Sequence, residues 1–388
     1  MVFIVACRKR LAMRKFAFYF FLVIINYYFL GCSASKKIFD NTITNSGGQV
    51  FNLDVFATKL DSILSINSIK HGFVIYHALY QTSKAGGLKR TAADPPQTNF
   101  ALTDRFNPAS VTKVITATAV LKIMDRKHYS LDTTIAAFLP STWTIDPSIQ
   151  KITFRLLLQH RSGIVDSLAP SDSYAGLKQY IQTGVHPNDV GKWLYSNYGF
   201  DLCRILIPYL NGYHDNPSSN IDVETYAAFE KYMQDSIFTP LNIQNVSYAP
   251  AINGQTLFYM YPPGNSNGTD FRNTSPGPGS AGVQLSLNEL ATFLFNLINS
   301  NILLSEPQKQ MMLTQDLGWD NSQQYSAPSP DPVRLHSKGG WLSLDSIQGL
   351  EAFMQYYENG LLLVGVYNGQ DPHGLENGIN SAYTLSWK

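Results

Sequence analysis

Apolar residues follow two different spacings in the first third of the chain. Between residues 50 and 66 they return every three or four positions, which predicts an amphipathic helix. Residues 111–125 are apolar almost throughout, which predicts a helix that is buried on most sides. Residues 72–79 form a short apolar run typical of a buried strand. Residues 84–99 contain Gly-Gly and Pro-Pro pairs, and we interpret them as a turn-rich excursion.

The middle of the chain, over residues 131–240, has mostly helical periodicity. Polar loops interrupt it at residues 141–147, 162–173 and 212–220. A longer loop rich in Pro, Gly, Asn and Ser covers residues 262–282. After this loop, Ser286 and Glu289 form a capping-box pair, which predicts a helix that ends near Asn299.

The last part of the chain has the pattern of an antiparallel sheet. Strands are predicted at residues 333–338, 347–357 and 361–367. Asn359-Gly360, between the last two, is a strong hairpin signal. Together these elements predict an α+β fold, in which both ends of the chain share an antiparallel sheet flanked by helices. A mostly helical region, about residues 130–280, is inserted between the two ends.

The N-terminal residues differ from the rest in charge and hydropathy. Residues 1–31 carry five basic side chains and no acidic one, and residues 16–31 are almost wholly apolar. This order is typical of an export signal, and the apolar stretch is shorter than the roughly 20 residues of a membrane-spanning helix. Phe29-Leu30-Gly31-Cys32 resembles the bacterial lipoprotein cleavage box, in which the cysteine is lipidated. An ordinary signal peptide followed by a chance cysteine is the alternative.

We therefore expect an exported protein of the cell envelope that is held at a membrane by a lipid on Cys32. Residues 32–49 are predicted to be a flexible tether, and residues 50–388 a single folded domain. Without residues 1–31, the chain has 24 basic and 28 acidic residues and a net charge of −4. No basic block remains in this part, so we expect no nucleic-acid partner.

Cys203 is the only cysteine beyond Cys32, so the sequence predicts neither an internal disulfide nor a Cys/His zinc site. It lies in an apolar run, which indicates a buried core residue. We expect neither a metal nor an organic cofactor.

Ser110-Val111-Thr112-Lys113 is the first motif that could carry chemistry. If Ser110 opens the helix predicted after it, Lys113 lies one turn further on the same face and can activate the hydroxyl. The same spacing recurs at Ser33/Lys36 and Ser148/Lys151, but neither of those serines opens a long apolar helix.

Two later motifs offer complementary groups. In Tyr195-Ser196-Asn197, a phenol near a lysine can relay a proton, and the amide can hold a substrate carbonyl. In Lys338-Gly339-Gly340-Trp341, at the end of a predicted strand, the lysine adds positive charge as a fourth candidate catalytic residue. The two glycines let a substrate approach the strand closely.

The ordered set Ser-x-x-Lys, Tyr-x-Asn and Lys-x-Gly resembles the serine β-lactamase and penicillin-recognising superfamily. The similarity is greatest to the branch of class C β-lactamases, D-alanyl-D-alanine carboxypeptidases and esterases, and it covers roughly residues 50–370. Supporting segments are residues 106–140, 156–163 and 279–294. The resemblance implies an antiparallel sheet joined to a helical region, with the site in the cleft between them.

The resemblance also implies a role for the matching residues. Ser110 would be the nucleophile that forms an acyl-enzyme, and Lys113 and Tyr195 would share proton transfer. Asn197 would position the substrate. The backbone N–H groups of Ser110 and Trp341 would form an oxyanion hole.

Two histidines near these motifs carry less weight. His160 lies in the turn Leu-Gln-His-Arg-Ser-Gly, which the family uses structurally. His336 stands two residues before Lys338 and so shares its strand face. It is a candidate substrate-binding residue that lines the cleft, or else it caps a sheet edge.

The implied activity is hydrolysis of amides or esters, with a small molecule or peptide as substrate. A true β-lactamase or D,D-peptidase is one alternative, and a weakly catalytic binder of cell-wall fragments is another.

In the β-lactamases and D,D-peptidases, a threonine usually stands where this chain has Gly339, and its hydroxyl helps to hold the substrate carboxylate. We therefore expect poor turnover of penicillins and cephalosporins compared with simple activated esters.

The lipoprotein-type cleavage box leads to a prediction about location. The wild-type protein should be found in the membrane fraction, and Cys32→Ala should make it soluble or leave it unprocessed, because no thiol remains to carry the lipid. Cell fractionation with mass spectrometry of the mature N-terminus measures both. A wholly soluble wild-type protein with an unmodified N-terminus would contradict the prediction.

Overall fold

The computed structural model describes residues 40–166, 172–215, 220–248, 256–271, 277–320, 326–345, 347–370 and 375–388. The chain divides into two compact units, Met1–Asn41 and Thr42–Lys388, and the sheets and helices of the described residues lie in the second. The predicted export signal and Cys32 lie outside the described residues. Within the described ranges, no helix has both the length and the apolar character needed to cross a membrane.

A six-stranded antiparallel sheet forms the centre of the second unit, with the strand order β5-β4-β3-β8-β7-β6. Its strands are Ser68–His77 (β3), Tyr80–Arg90 (β4), Thr98–Asn99 (β5), Leu335–Ser343 (β6), Gln348–Tyr357 (β7) and Leu362–Gln370 (β8). Strands β1 (Thr42–Thr44) and β2 (Val50–Asn52) form a separate pair. Strands from the two ends of the chain meet at the sheet centre, where Val74 lies opposite Val364. The predicted α+β fold is thus confirmed.

The helices of the described ranges are α1 (Leu53–Ser65), α2 (Thr112–Arg126), α3 (Phe154–Leu158), α4 (Tyr174–Thr183), α5 (Asn197–Asp201), α6 (Cys203–Leu210), α7 (Ile221–Met233), α8 (Leu287–Asn299), α9 (Glu306–Thr314) and α10 (Leu375–Thr384). Helices α1, α8 and α10 lie at the faces of the six-stranded sheet, and most of the others form the region between β5 and β6. Alternate residues of a strand point to opposite faces. Accordingly, Phe73 and Leu363 pack in the core with α1 and α10, whereas Val74 and Val364 pack in the larger core with α2 and α8.

Several local predictions are confirmed by the structure. Helix α2 follows Ser110 and is almost entirely buried. Ser286 caps α8 through a hydrogen bond from the amide of Glu289 to its hydroxyl, and the Glu289 carboxylate accepts from the Ser286 amide. Gly360 turns the hairpin between β7 and β8 with a φ of 91°. Cys203 is buried, and burial raises the pKa of its thiol.

Other local predictions were wrong at their boundaries. Much of the predicted excursion at residues 84–99 belongs to strand β4, whose residues are half-buried or exposed and do not form an apolar run. Pairing with β3 places Gly86 opposite His71 and overrides the turn tendency of the glycines. Strand β6 continues to Ser343, so the lysine motif lies within the strand and not at its end. Thr42–Thr44, within the predicted tether, form a strand, and α10 was not predicted.

A buried polar cluster ties the segment of residues 256–271 to the sheet. Asn368, on β8, donates to the carbonyl oxygens of Tyr259 (2.9 Å) and Gly349 (3.2 Å) and accepts from the Tyr259 amide (3.0 Å). Its amide oxygen also accepts from Lys70 Nζ (3.3 Å), which is fully buried. Lys70 donates in addition to the carbonyl oxygen of Leu257. One asparagine therefore satisfies polar groups from three separate segments.

We predict that Asn368→Ala lowers the free energy of unfolding by at least about 2 kcal/mol, because it leaves several buried donors and acceptors without partners. Asn377→Ala, at an exposed position of α10, is the matched control and should change it by less than about 0.5 kcal/mol. Urea unfolding followed by circular dichroism measures both. Equal stability of the two variants would contradict the assigned role of Asn368.

Candidate active site

Ser110 lies in a single turn of 3-10 helix, Ala109–Val111, that leads into α2. Ala109 has a φ of 49°, a left-handed conformation that is strained for a residue with a Cβ atom. The side-chain oxygen of Asn107 holds this turn by accepting from the amides of Ala109 (2.9 Å) and Gly282 (3.1 Å). The serine is therefore presented by a tight turn fixed from both sides.

Lys113 lies one turn after Ser110, as the motif predicts, and is fully buried. Its Nζ donates to Ser110 Oγ (3.0 Å), to Asn197 Oδ1 (2.7 Å) and to the carbonyl oxygen of Ser280 (3.0 Å). An ammonium group has three N–H donors, and here each has an acceptor. Lys113 thus joins the start of α2, the start of α5 and the segment before α8.

Tyr195 completes the contacts of Ser110 Oγ, to which its hydroxyl donates at 2.7 Å. Its ring stacks on the ring of His160, with the centroids 4.5 Å apart. His160 is buried, and its Nδ1 accepts from the amide of Ser196 at 3.1 Å. Burial first, and the nearby lysines second, lower the pKa of His160 far below its usual value. A neutral His160 therefore supports the tyrosine segment and has no contact with Ser110 Oγ.

Asn197 opens α5, and its position is fixed by a residue that the motifs did not reveal. The carboxylate of Asp166 accepts from the backbone amide (2.8 Å) and the side-chain amide (2.8 Å) of Asn197 and from the hydroxyl of Ser196 (2.9 Å). The side-chain nitrogen of Asn197 is thereby directed at Asp166 and its oxygen at Lys113. A single carboxylate outside a motif offers no sequence signal for such a role.

Lys338 reaches the cleft from the middle of β6, and its side chain is 1% exposed. Its Nζ donates to Asp320 Oδ1 (2.5 Å), and the amide of Gly339 donates to Asp320 Oδ2 (3.1 Å). Lys338 Nζ also lies 4.9 Å from the centroid of the Tyr195 ring. Asp320 is the second residue that sequence reasoning missed.

The two glycines that follow Lys338 have different surroundings. A Cβ atom on Gly340 would lie 2.2 Å from the carbonyl oxygen of Pro108 and 3.0 Å from the amide nitrogen of Ser110, so only glycine fits. A Cβ atom on Gly339 would meet no atom within 4 Å. Gly340 therefore brings β6 against the turn that carries Ser110, whereas Gly339 leaves open space.

These side chains surround an open cleft of about 420 Å³. It is lined by Ser110, Tyr195, Asn197, Asp320, Lys338, Gly339, Gly340, Trp341 and Glu351. Eight of the nine candidate catalytic and substrate-binding residues thus come together, since Lys113 lies directly behind Ser110.

His336 is the candidate that the structure does not bring into the cleft. It shares the strand face of Lys338, but its side chain is 0% exposed and lies between the rings of Trp319 and Tyr356. Its Nε2 lies 3.1 Å from Glu358 Oε1. These contacts make it a packing residue of β6.

The pKa values of the two lysines of the site are shifted in opposite directions, and both lysines affect the pKa of Tyr195. Burial is the main cause that lowers the pKa of Lys113, and the charge of Lys338 adds to it. Burial opposes the charge of Lys338 too, but the carboxylate of Asp320 and the nearby Tyr195 raise its pKa above the usual value. Burial also opposes ionisation of Tyr195, yet the positive charges of Lys338 and Lys113 lower its pKa. The phenol is therefore more acidic than a free tyrosine.

Asp201 is a buried carboxyl group close to this network. Its Oδ1 accepts from the amide of Ser280 (3.0 Å), whose carbonyl oxygen in turn accepts from Lys113. Burial raises the pKa of Asp201 to about 7. Among the described residues, no group of three or more His, Cys, Asp or Glu side chains is arranged to hold a metal ion.

Comparison with known proteins gives sequence matches of different lengths, of which one short and one longer example follow. The chain is 41% identical over 59 residues to a putative fimbrial assembly protein FimD, serogroup D, of Dichelobacter nodosus, covering 15% of each chain. It thus spans only a small part of that relative's length. It is 22% identical over 292 residues to the acyltransferase calJ of Penicillium decumbens, covering 63% of this chain and 67% of that protein.

Solved structures match over most of the chain. A D-stereospecific amidohydrolase from Streptomyces sp. is 18% identical with a TM-score of 0.60, covering 85% of this chain and 98% of the other. A class C β-lactamase from Rhodobacter sphaeroides is 15% identical with a TM-score of 0.61 and the same coverages. These similarities show the fold. The Beta-lactamase family model matches residues 69–383, which is most of the sequence, and the chain therefore belongs to the beta-lactamase family.

Proposed function

We propose that this protein is an exported serine hydrolase that cleaves amide or ester bonds through an acyl-enzyme on Ser110. The observation that carries the proposal is the position of Ser110 Oγ, which lies within hydrogen-bond distance of both Lys113 Nζ (3.0 Å) and Tyr195 OH (2.7 Å). A serine needs such neighbours because its hydroxyl is a weak nucleophile until a base removes the proton. The titratable neighbours here are a lysine and a tyrosine whose pKa values are both lowered.

The first half of the reaction transfers the acyl group to the enzyme. Ser110 Oγ forms a bond to the substrate carbonyl carbon while its proton passes to the deprotonated member of the Lys113 and Tyr195 pair. The carbonyl π electrons move onto oxygen, and the backbone N–H groups of Ser110 and Trp341 stabilise this oxyanion. The C=O bond then re-forms, the bond to the leaving nitrogen or oxygen breaks, and the leaving atom takes the proton.

The second half repeats these steps with water. Water bonds to the acyl carbon and gives one proton to the same pair, and the tetrahedral species collapses with release of Ser110 Oγ, which recovers that proton. One molecule of water is consumed, and the products are a carboxylic acid and a free amine or alcohol. This cycle needs no group beyond the side chains and backbone of the described site.

The comparisons support hydrolysis of amides as one part of this proposal. The fold is shared with a D-stereospecific amidohydrolase and a class C β-lactamase, both named for cleavage of amide-type bonds. The complete set of Ser110, Lys113, Tyr195 and Lys338 favours an enzyme over a binder of cell-wall fragments, because binding alone does not require all four. Export and a lipid anchor rest on residues 1–32 alone.

The test of this function is covalent labelling and turnover. A fluorophosphonate should add to wild-type Ser110, and Ser110→Ala should lose both the adduct and hydrolysis of a p-nitrophenyl ester. Lys113→Ala should lose at least about two orders of magnitude in kcat/KM, the usual contribution of an acid–base group. Ser62→Ala, on the exposed side of α1, is the control. Intact mass spectrometry and ester kinetics give the readouts, and an active Ser110→Ala variant would overturn the assignment.

A second prediction concerns the pH dependence of kcat/KM. The positive charge of Lys338 lowers the pKa of both Tyr195 and Lys113, so the base is available at a lower pH than without it. Lys338→Met should therefore move the rising limb of the pH profile to higher pH, whichever of the two groups is the base. Lys231→Met, with a side chain 77% exposed, should leave the limb in place.

An uncharged ester is the substrate for this profile, so that the variant does not change recognition of a substrate charge. A rising limb at the same pH in the wild-type and Lys338→Met enzymes would contradict the electrostatic role of Lys338.

A further inference from the structure

A carboxylate of the protein itself occupies the place where a cleft of this kind would hold an anion. A lysine ammonium beside a free backbone N–H is a suitable site for a substrate carboxylate. Here both donors, Lys338 Nζ and the amide of Gly339, are bound by Asp320, at 2.5 Å and 3.1 Å. An anionic substrate group would have to displace Asp320 from both of them and lie next to its negative charge.

Asp320 is held in this position by the backbone around it. Its amide donates to the carbonyl oxygen of Ser337 on β6 (3.0 Å). The preceding Trp319 is 1% exposed, and Gly318, with a φ of 80°, donates to the carbonyl oxygen of Leu158 (3.0 Å). These backbone hydrogen bonds therefore fix the carboxylate of Asp320 beside the lysine motif of β6.

The carboxylate also retains capacity for a ligand. Two carboxylate oxygens offer about four acceptor sites, and within the described part of the chain the contacts to Lys338 and Gly339 use two of them. The Asp320 side chain is 29% exposed and lines the cleft, whereas Lys338 is 1% exposed. Glu351, which lies opposite Trp341 in the β6–β7 register, is a second acidic residue among those that line the cleft. The two lysines of the site, Lys338 and Lys113, are thus matched in number by two acidic residues.

The position of Tyr195 indicates which part of the substrate meets Asp320. Under the proposed function, on which this inference rests, the leaving atom takes its proton from the Lys113 and Tyr195 pair. The centroid of the Tyr195 ring lies 5.0 Å from Lys113 Nζ and 4.9 Å from Lys338 Nζ. Lys113 is fully buried, whereas Lys338 and Asp320 line the open cleft, so the space beside Tyr195 that can accept a leaving group is next to Lys338 and Asp320.

We propose that Asp320 is a specificity-determining residue that selects acyl compounds whose leaving group carries a positive charge over those whose leaving group carries a carboxylate. The substrate class is an amide or ester of an amino alcohol, a diamine or a similar cationic group. Asp320 attracts the cation and, by pairing with Lys338, removes the attraction that this lysine would exert on an anion.

Three thioesters that differ in the charge of the leaving group test this proposal. They are acetylthiocholine (cationic), 3,3-dimethylbutyl thioacetate (its neutral isostere) and 3-(acetylthio)propanoate (anionic). Release of thiol gives kcat/KM for each compound at neutral pH and low ionic strength. The wild-type enzyme should prefer the cationic to the anionic thioester by at least about tenfold, since a charge held at hydrogen-bond distance in a partly buried site changes binding by one to two orders of magnitude.

Asp320→Asn removes the charge with little change in shape and should reduce the cationic-to-anionic ratio by at least about tenfold. Because both kcat/KM values of the ratio are measured on the same variant, a general loss of activity lowers both and leaves the ratio unchanged. Asp235→Asn removes a charge at a position outside the cleft, 56% exposed, and should keep the wild-type ratio. Raised ionic strength should also reduce the ratio in the wild-type enzyme, which needs no variant.

The possible results distinguish an error about Asp320 from an error about the hydrolase activity. Turnover of the neutral thioester with no preference among the charged ones, or an unchanged ratio in Asp320→Asn, would overturn the role of Asp320 and leave the hydrolase proposal standing. Failure of the wild-type enzyme to release thiol from any of the three, while it still hydrolyses the p-nitrophenyl ester, would overturn the inference alone. Failure on the p-nitrophenyl ester as well would overturn both.

Discussion

The burial of one ammonium group, that of Lys113, determines how the rest of the site is built. Its three acceptors, on Ser110, Asn197 and Ser280, come from three segments that are far apart in the sequence. A buried charge is tolerated only when its donors are satisfied, so all three segments have to arrive together. The contacts that hold the helical region together are consequently the same contacts that fix the position of Ser110.

The parts of the site that could be predicted from the sequence are those that local geometry determines. Ser110 and Lys113 are three residues apart on one helix, and the apolar pattern of α2 shows where that helix begins. Tyr195 lies 85 residues from Ser110, so no spacing rule could bring the two together, and the resemblance to a family supplied the link. The sheet could be predicted in the same way, because the β7–β8 hairpin is specified by two adjacent residues.

What the sequence did not predict depends on neighbours that are distant in the chain. Strand β4 consists mostly of polar residues and glycines that are half-buried or exposed, and it is a strand because β3 offers a partner for its backbone. His336 was placed on the correct face of β6, but Trp319 and Tyr356, which bury it, belong to other segments. Asp320 and Asp166 are single carboxylates whose roles exist only where the fold brings donors to them.

The unequal surroundings of Gly339 and Gly340 divide the lysine motif into a fixed and a variable position. Any side chain on Gly340 would push β6 away from the turn that carries Ser110, so this position cannot vary without moving Ser110 relative to β6. Gly339 faces open space and can acquire a side chain while the strand stays in place. A lineage of such enzymes could therefore change its substrate by single substitutions at one residue and keep its chemistry, since recognition and catalysis are separated by one peptide bond.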